Sequence, residues 1–306
     1  MVFFRGVCPE KSRPPRPMTH GCKGKAGMIF KKDTDCQMGA RIMYQFDRDI
    51  LVFQSTAEVF QAAVSSGWSV DNNPDGGYLM ALLVNAVRHR GGDKWPLIVT
   101  ANFITRCLPG PAEITLEHIG GSRHLDRWQA TLSQEGAVRV RAMCTLTGEE
   151  NNAGEKRYEA AAPDLPDREL CFEMPRLPGY TLFDRMAVRL DPACTGWLTG
   201  SGLAEISEQR GWLSFRDGRP FDALSVLLAV DAFPPAILAS QGVVAWVPTI
   251  ELSVNMRHLP QTPWLKCVFR SLFLSHGVVE EDARIWDERD ELIAVSRQVS
   301  RFRKAV

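Results

Sequence analysis

The feature that most constrains the fold of this 306-residue chain is a pattern that occurs twice, about 150 residues apart. An apolar helix-like segment, GGYLMALLVNAVRH at 76–89 or FDALSVLLAVDAFPPAIL at 221–238, is followed each time by several strand-like segments. Both helices are apolar nearly all round, so each needs a sheet that wraps it. We therefore predict an α+β fold of two fused units, each a curved antiparallel sheet wrapped around a long helix.

Changes in composition divide the chain into four parts. Residues 1–42 hold nine Lys and Arg against three Asp and Glu, and are expected to form a poorly ordered N-terminal extension, with Met43 a candidate initiator. Residues 43–150 are the predicted N-terminal unit and residues 181–306 the C-terminal unit, which carries the candidate catalytic residues. Residues 151–180 are polar and rich in proline, which is typical of a linker.

Charge and cysteine content exclude several classes of function. Lys and Arg together number 36, as do Asp and Glu, so no broad surface for nucleic acid is expected. No apolar run approaches the ~20 residues of a membrane span. The eight cysteines form no CxxC pair and have no histidines at zinc spacing, which favours reduced thiols in a cytoplasmic protein. No pattern indicates a metal or an organic cofactor.

Two adjacent glycines, Gly76 and Gly77, stand where the first helix begins, although glycine is a poor helix former. In one interpretation they only tolerate a turn and cap made by Asn73, Pro74 and Asp75. In the other, a ligand oxygen approaches the free N–H groups of the helix start, where a side chain would stand in the way. The residues alone leave both open, and the pair is a candidate substrate-binding site.

Asp231 is a candidate general base because it lies in a strongly apolar segment. Burial there would cost several kcal/mol and would raise the pKa of the carboxyl toward neutral, which suits a base. The alternative is that the helix ends here, since Pro234 and Pro235 follow, and that the carboxylate faces solvent.

Gln298 and Thr249 are the other two polar candidates. Gln298 alternates with small and apolar residues along its strand, which places it on the face expected to meet the helix, and its amide can both donate to and accept from a water. The alternative is an exposed strand residue. Thr249 taken by itself is most simply a structural strand residue, because threonine is common in strands.

Five segments in order resemble the acyl-CoA thioesterase family with a double hotdog fold. They are NPDGGYLMALL, LPGPAEITLEHIGGSRHL, DAFPP, WVPTIELSVNMRHLP and AVSRQVSRFR, and the match runs over residues 46–303. The resemblance implies a hydrolytic site between two hotdog units, in which Asp231, Thr249 and Gln298 hold a water. It implies an acyl-CoA substrate and no cofactor. The two prolines after Asp231 resemble a shorter bacterial branch of the family.

The predicted reaction is hydrolysis of an acyl-CoA thioester, with Asp231 as general base and a helix-start N–H, at Gly77, stabilising the oxyanion. Exposed sheet edges favour a homo-oligomer, a dimer or a tetramer. Acyl chain length, and the choice between coenzyme A and a carrier protein, are left open.

Two alternatives from other classes remain. Asp71, Asn73 and Pro74 resemble part of the D-x-N-P-x-H signature of hotdog enoyl-CoA hydratases, but Gly76 replaces the histidine that such an enzyme needs as an acid or base. A non-catalytic protein that binds acyl-CoA or lipid would use the same fold without the chemistry.

Overall fold

A computed structural model describes residues 43–92, 94–148, 155–243 and 245–304. The prediction of a poorly ordered extension over residues 1–42 lies outside the described residues.

The described residues contain six α-helices, most of them short. They are α1 Gln45–Asp49, α2 Gly76–Gly91, α3 Leu182–Arg185, α4 Gly196–Thr199, α5 Ala223–Ala229 and α6 Ile237–Gln241. Single 3₁₀ turns lie at Arg168–Leu170 and Pro192–Cys194.

Strands make up most of the remaining structure. Those before residue 150 are β1 Val52–Gln54, β2 Val59–Val64, β3 Ser69–Val70, β4 Asn73–Pro74, β5 Trp95–Phe103, β6 Gly110–Gly121, β7 Leu125–Gln134 and β8 Ala137–Thr147. Those after it are β9 Phe172–Glu173, β10 Met186–Leu190, β11 Ser207–Phe215, β12 Ala245–Trp246, β13 Thr249–Met256, β14 Leu265–Ser271, β15 Leu274–Ser275, β16 Val278–Asp287, β17 Leu292–Arg301 and β18 Arg303–Lys304.

One antiparallel sheet of 14 strands runs through both halves of the chain. Its order is β1-β2-β6-β7-β8-β5-β13-β17-β16-β14-β11-β10-β9, with β15 paired to β16. The halves meet where β5 pairs with β13, with Val99 opposite Val254. Because β13 also pairs with β17, residues at the start of β13 and near the end of β17 lie side by side close to this junction.

Helix α2 is the buried helix that the first repeat predicts. The Asp75 carboxylate caps it by accepting a hydrogen bond from the Tyr78 N–H at 2.9 Å. Residues 77–84 are all buried, and the helix contacts strands of the first half from β1 to β8. An apolar helix with no polar stripe is stable here because the sheet covers it on several sides.

The prediction of a second long helix over residues 221–238 is wrong in the length of the helix. Helix α5 ends at Ala229 after seven residues, and α6 begins only at Ile237. Pro234 and Pro235 lie between them; neither has an N–H to donate, and each disfavours helical geometry in the residue before it. The break leaves Asp231 in a turn.

The segment predicted to be a linker takes part in the sheet. Within residues 151–180, Phe172–Glu173 forms β9 and pairs with β10. Polar, proline-rich composition identified the irregular chain around this strand but missed a pairing of two residues, which has no periodicity to detect.

The five described cysteines, Cys107, Cys144, Cys171, Cys194 and Cys267, are free thiols, as the sequence predicts. Among the described residues no helix is both long enough and apolar enough to cross a membrane.

Helices α2 and α5 pack so closely that their backbones are in contact at Gly77. A Cβ placed on Gly77 would lie 2.2 Å from the carbonyl oxygen of Leu227 and 2.9 Å from the Cα of Leu228. Both neighbours are backbone atoms, so no side-chain movement relieves the overlap. Gly77 is therefore required for the packing of the two helices.

Replacing Gly77 with alanine is expected to push α2 and α5 apart. Overpacking of this kind costs ~1–3 kcal/mol, so the midpoint of thermal unfolding falls by several degrees. The matched control is Gly148→Ala, since a Cβ at Gly148 meets no atom of the described residues within 4 Å. Equal melting midpoints for the two variants would contradict the packing described here.

Candidate active site

The carboxylate of Asp231 lies against the start of helix α2. The Gly77 N–H donates to its Oδ2 at 3.0 Å. A Cβ on Gly76 would lie 2.8 Å from the same oxygen and 2.8 Å from Cζ of Phe103. The group that approaches the glycine pair is thus a side chain of the same protein, and the positive end of α2 faces its charge.

The side-chain amide of Gln298 joins the other two candidates. Its Nε2 donates to Oδ1 of Asp231 at 3.1 Å and to Oγ1 of Thr249. Thr249 begins β13 opposite Ser300 of β17, two residues along that strand from Gln298. The three side chains singled out in the sequence therefore converge, from the turn after α5 and from two adjacent strands.

Strand β17 presents Gln298 on the inner face of the sheet, as its alternation predicts. Ala294, Ser296 and Ser300 on the same face are buried, whereas Arg297 and Arg301 on the other face are exposed. Asp231, Thr249 and Gln298 are each only partly buried, so the cluster keeps some access to solvent.

Burial raises the pKa of Asp231 to about 6, and hydrogen bonds from the Gly77 N–H, the Gln298 amide and the Gly76 N–H pull it down less strongly. A carboxyl with this pKa is ionised at neutral pH and is a stronger base than an exposed aspartate. Asp231 can therefore accept a proton near pH 7.

Two further carboxyl groups lie close to Asp231, and the sequence analysis did not assign either to the site. Asp75, the cap of α2, is 5% exposed, and its pKa is raised well above normal by burial and then by the charge of Asp231. Glu281 lies on β16 directly opposite Gln298. Its pKa is raised to about 8, by burial first and by Asp231 as well.

A sequence signal for Glu281 does exist. In VVEEDARIW, it alternates with Val279, Ala283 and Ile285, which are all buried. An acidic residue in an otherwise apolar inward-facing series is the same kind of signal that identified Gln298.

A small cavity lies beside Gln298. It has a volume of about 20 Å³, roughly the space for one water, and is lined by Pro235, Ile237, Val247, Ser271, Val279, Glu281, Gln298 and Ser300.

A larger open groove of about 440 Å³ lies elsewhere, around Trp95, His258 and Glu291. None of Asp231, Thr249 or Gln298 lines it.

The residues that resemble a hydratase signature shape a turn. The Asn73 side chain donates to the carbonyl oxygen of Asp71 at 2.8 Å, and Asp71 itself has a positive φ of 48°. Gly76, at the position of the missing histidine, borders Asp231. These contacts account for the motif without an acid or base at its last position.

Two family models match this chain in order. The acyl-CoA thioesterase N-terminal domain matches residues 64–147, and the acyl-CoA thioesterase C-terminal domain matches residues 159–302. Together they span both halves of the sheet.

Solved structures and a curated relative are similar to this chain over most of its length. A protein of Thermobifida fusca assigned as a thioesterase II is 26% identical, with a TM-score of 0.78 over 85% of this chain and 98% of its own. A hotdog-fold protein of unknown function from Alicyclobacillus acidocaldarius is 19% identical, with a TM-score of 0.76 over 87% of this chain and 100% of its own. An uncharacterised Mycobacterium tuberculosis protein is 24% identical over 79% of this chain and 90% of its own. The chain therefore has a hotdog-type fold and belongs to the acyl-CoA thioesterase family.

Proposed function

We propose that this protein hydrolyses acyl-CoA thioesters to free acid and coenzyme A at Asp231, Thr249 and Gln298. The proposal rests on one observation. The Gln298 amide hydrogen-bonds to both the half-buried Asp231 carboxylate and the Thr249 hydroxyl, beside the start of the buried helix α2. The match to both thioesterase domains, and the likeness to the T. fusca protein, support thioester hydrolysis in general.

In the proposed reaction Asp231 removes a proton from a water held at the Thr249 hydroxyl, while the Gln298 amide holds both of these side chains in place. The water oxygen attacks the thioester carbonyl carbon, and the tetrahedral intermediate collapses with cleavage of the C–S bond. The proton taken by Asp231 passes to the thiolate of coenzyme A, which leaves as the thiol. One water is consumed for each thioester, and Asp231 returns to its ionised form.

The glycine pair has a different part in this proposal from the one expected. The Gly77 N–H is engaged by Asp231, so it holds the base in place. Binding of substrate by Gly76 and Gly77, including stabilisation of the oxyanion at Gly77, stays a prediction.

Self-association into a dimer or a tetramer is part of the proposal. The large sheet ends at the short strands β1 and β9, whose outer edges pair with no other described strand. Free edges of this kind favour contact with a second copy. A cytoplasmic location stays a prediction.

Removal of each polar group is expected to slow thiol release from acyl-CoA. Asp231→Asn should lower kcat by ~10²–10⁴-fold because it removes the base. Gln298→Ala should lower it by ~10²-fold, since one amide orients both partners. The assay is a thiol reagent with acyl-CoAs of two to eighteen carbons. The control is Gln61→Ala, an exposed strand glutamine of the first half.

Each alternative function gives a distinct result in the same experiment. Turnover unchanged in Asp231→Asn would refute the catalytic assignment. Rapid loss of enoyl absorbance from an enoyl-CoA without release of thiol would indicate a hydratase. Saturable binding of acyl-CoA with no product would indicate a binding protein.

The dependence of kcat/KM on pH should follow the ionisation of Asp231. Because the base must be ionised, kcat/KM should rise as pH increases through about 6 and level off near neutral pH. A profile that rises near pH 4, the range of an ordinary exposed aspartate, would contradict a base whose pKa is raised by burial.

The same raised pKa predicts a cost in stability. An acid whose pKa is higher in the folded state than in the unfolded state loses its stabilising contribution as pH rises from about 4 through about 6. Asp231→Asn removes this loss and should be more stable than the wild type by on the order of 3 kcal/mol at pH 8. Melting midpoints at pH 5 and pH 8 measure this; a gap between variant and wild type that does not widen at pH 8 would contradict it.

A further inference from the structure

One carboxyl oxygen of Glu281 is held by a backbone hydrogen bond, and the side chain lies beside the site. Its Oε2 accepts a hydrogen bond from the Ala236 N–H, in the loop between α5 and α6. Its strand places it opposite Gln298, and residues paired in this way have Cβ atoms about 5 Å apart. Glu281 and Gln298 also line the same small cavity.

The amide of Gln298 has one orientation that satisfies its partners. An ionised Asp231 can only accept, so the amide nitrogen must face it, and the same nitrogen also donates to Thr249. Both N–H groups of the amide are thereby used. The carbonyl oxygen of the Gln298 side chain is left as an acceptor that needs a donor.

The cavity contains a second polar group in need of a partner. The Ser271 side chain is 7% exposed, and its hydroxyl has no hydrogen-bond partner in the described part of the chain. A volume of about 20 Å³ beside a serine hydroxyl, a carboxyl and an amide is large enough and polar enough for one water.

We propose that Glu281 is a positioning residue for Gln298: its carboxyl donates, through a single water held in this cavity with Ser271, to the side-chain carbonyl oxygen of Gln298. The bond fixes the amide with its nitrogen toward Asp231 and Thr249. This inference rests on the proposed function, because it concerns the same water-activating cluster.

The surroundings of Glu281 keep it able to donate at neutral pH. Of the charged groups around it, Asp231 faces it from the turn after α5, and Asp282 follows it on the opposite face of its strand, paired with Arg297. Strand β17 faces it with the uncharged Gln298, and Ser271 of β14 lines the same cavity. Burial and the charge of Asp231 raise the pKa of Glu281 to about 8, so most of the group is protonated at pH 7.

The test compares Glu281→Leu and Glu281→Gln with the wild type. Leucine fills the space without a donor, so kcat is expected to fall about tenfold or more while KM changes little. Glutamine can accept from the Ala236 N–H and donate into the cavity, so it should restore most of the lost kcat. Wild-type activity should decline above pH 8 as Glu281 ionises, and this alkaline decline should be absent from Glu281→Gln.

Two controls separate the possible failures. Glu280→Gln changes the neighbouring carboxylate on the other face of β16 and should keep the wild-type pH profile. Asp231→Asn tests the proposed function: if it is fully active, the proposed function fails. If it is inactive while Glu281→Leu keeps the wild-type kcat, only the present inference is overturned. Should Glu281→Leu fail to fold, an unchanged alkaline decline in Glu281→Gln overturns the inference by itself.

Discussion

The interaction on which this site depends is the seating of the Asp231 carboxylate between the start of helix α2 and the amide of Gln298. A carboxylate in a mostly apolar setting is costly unless hydrogen bonds and a favourable dipole compensate it. Here the N–H of Gly77 and the end of the helix provide both. Two glycines are needed because a side chain at either position would meet the carboxylate or the backbone of α5. The carboxylate thus explains Gly76, and the close crossing of the helices explains Gly77.

The second consequence concerns charge. Two carboxyl groups, Asp75 and Glu281, each lie within electrostatic reach of Asp231 in a poorly solvated region. Carboxyl groups this close do not all ionise together, because the resulting like charges repel. The group whose ionised form accepts the most hydrogen bonds ionises first. Asp231 has three such donors, so it ionises first, and its charge disfavours ionisation of Asp75 and Glu281. In this account Asp231 alone acts as the base, and Glu281 helps to orient its partner Gln298.

Much of the architecture could be predicted from the sequence because it depends on local sequence patterns. The buried helix α2, its cap at Asp75 and the inward face of Gln298 follow from periodicity and turn chemistry. The turn between β7 and β8 is likewise local, at Glu135 and Gly136, both with positive φ. These features depend on residues within a few positions of each other.

What the sequence could not supply depends on distant partners. The early end of α5 is encoded in Pro234 and Pro235, but apolar content outweighed them in the prediction of a long helix. The use of the Gly77 N–H by Asp231 joins residues 154 positions apart. Glu281 gains its significance from Gln298 on the next strand and from the loop before α6. Single-chain patterns do not show such pairings.

A single turnover in ¹⁸O-labelled water tests the central claim most directly, because it follows the oxygen that attacks the thioester. If Asp231 acts as a base on water, the acid released in the first turnover carries ¹⁸O and the protein gains no label. Unlabelled acid in the first turnover, with ¹⁸O appearing in the carboxyl group of Asp231, would show that the carboxylate attacks the thioester itself. That result would contradict the account.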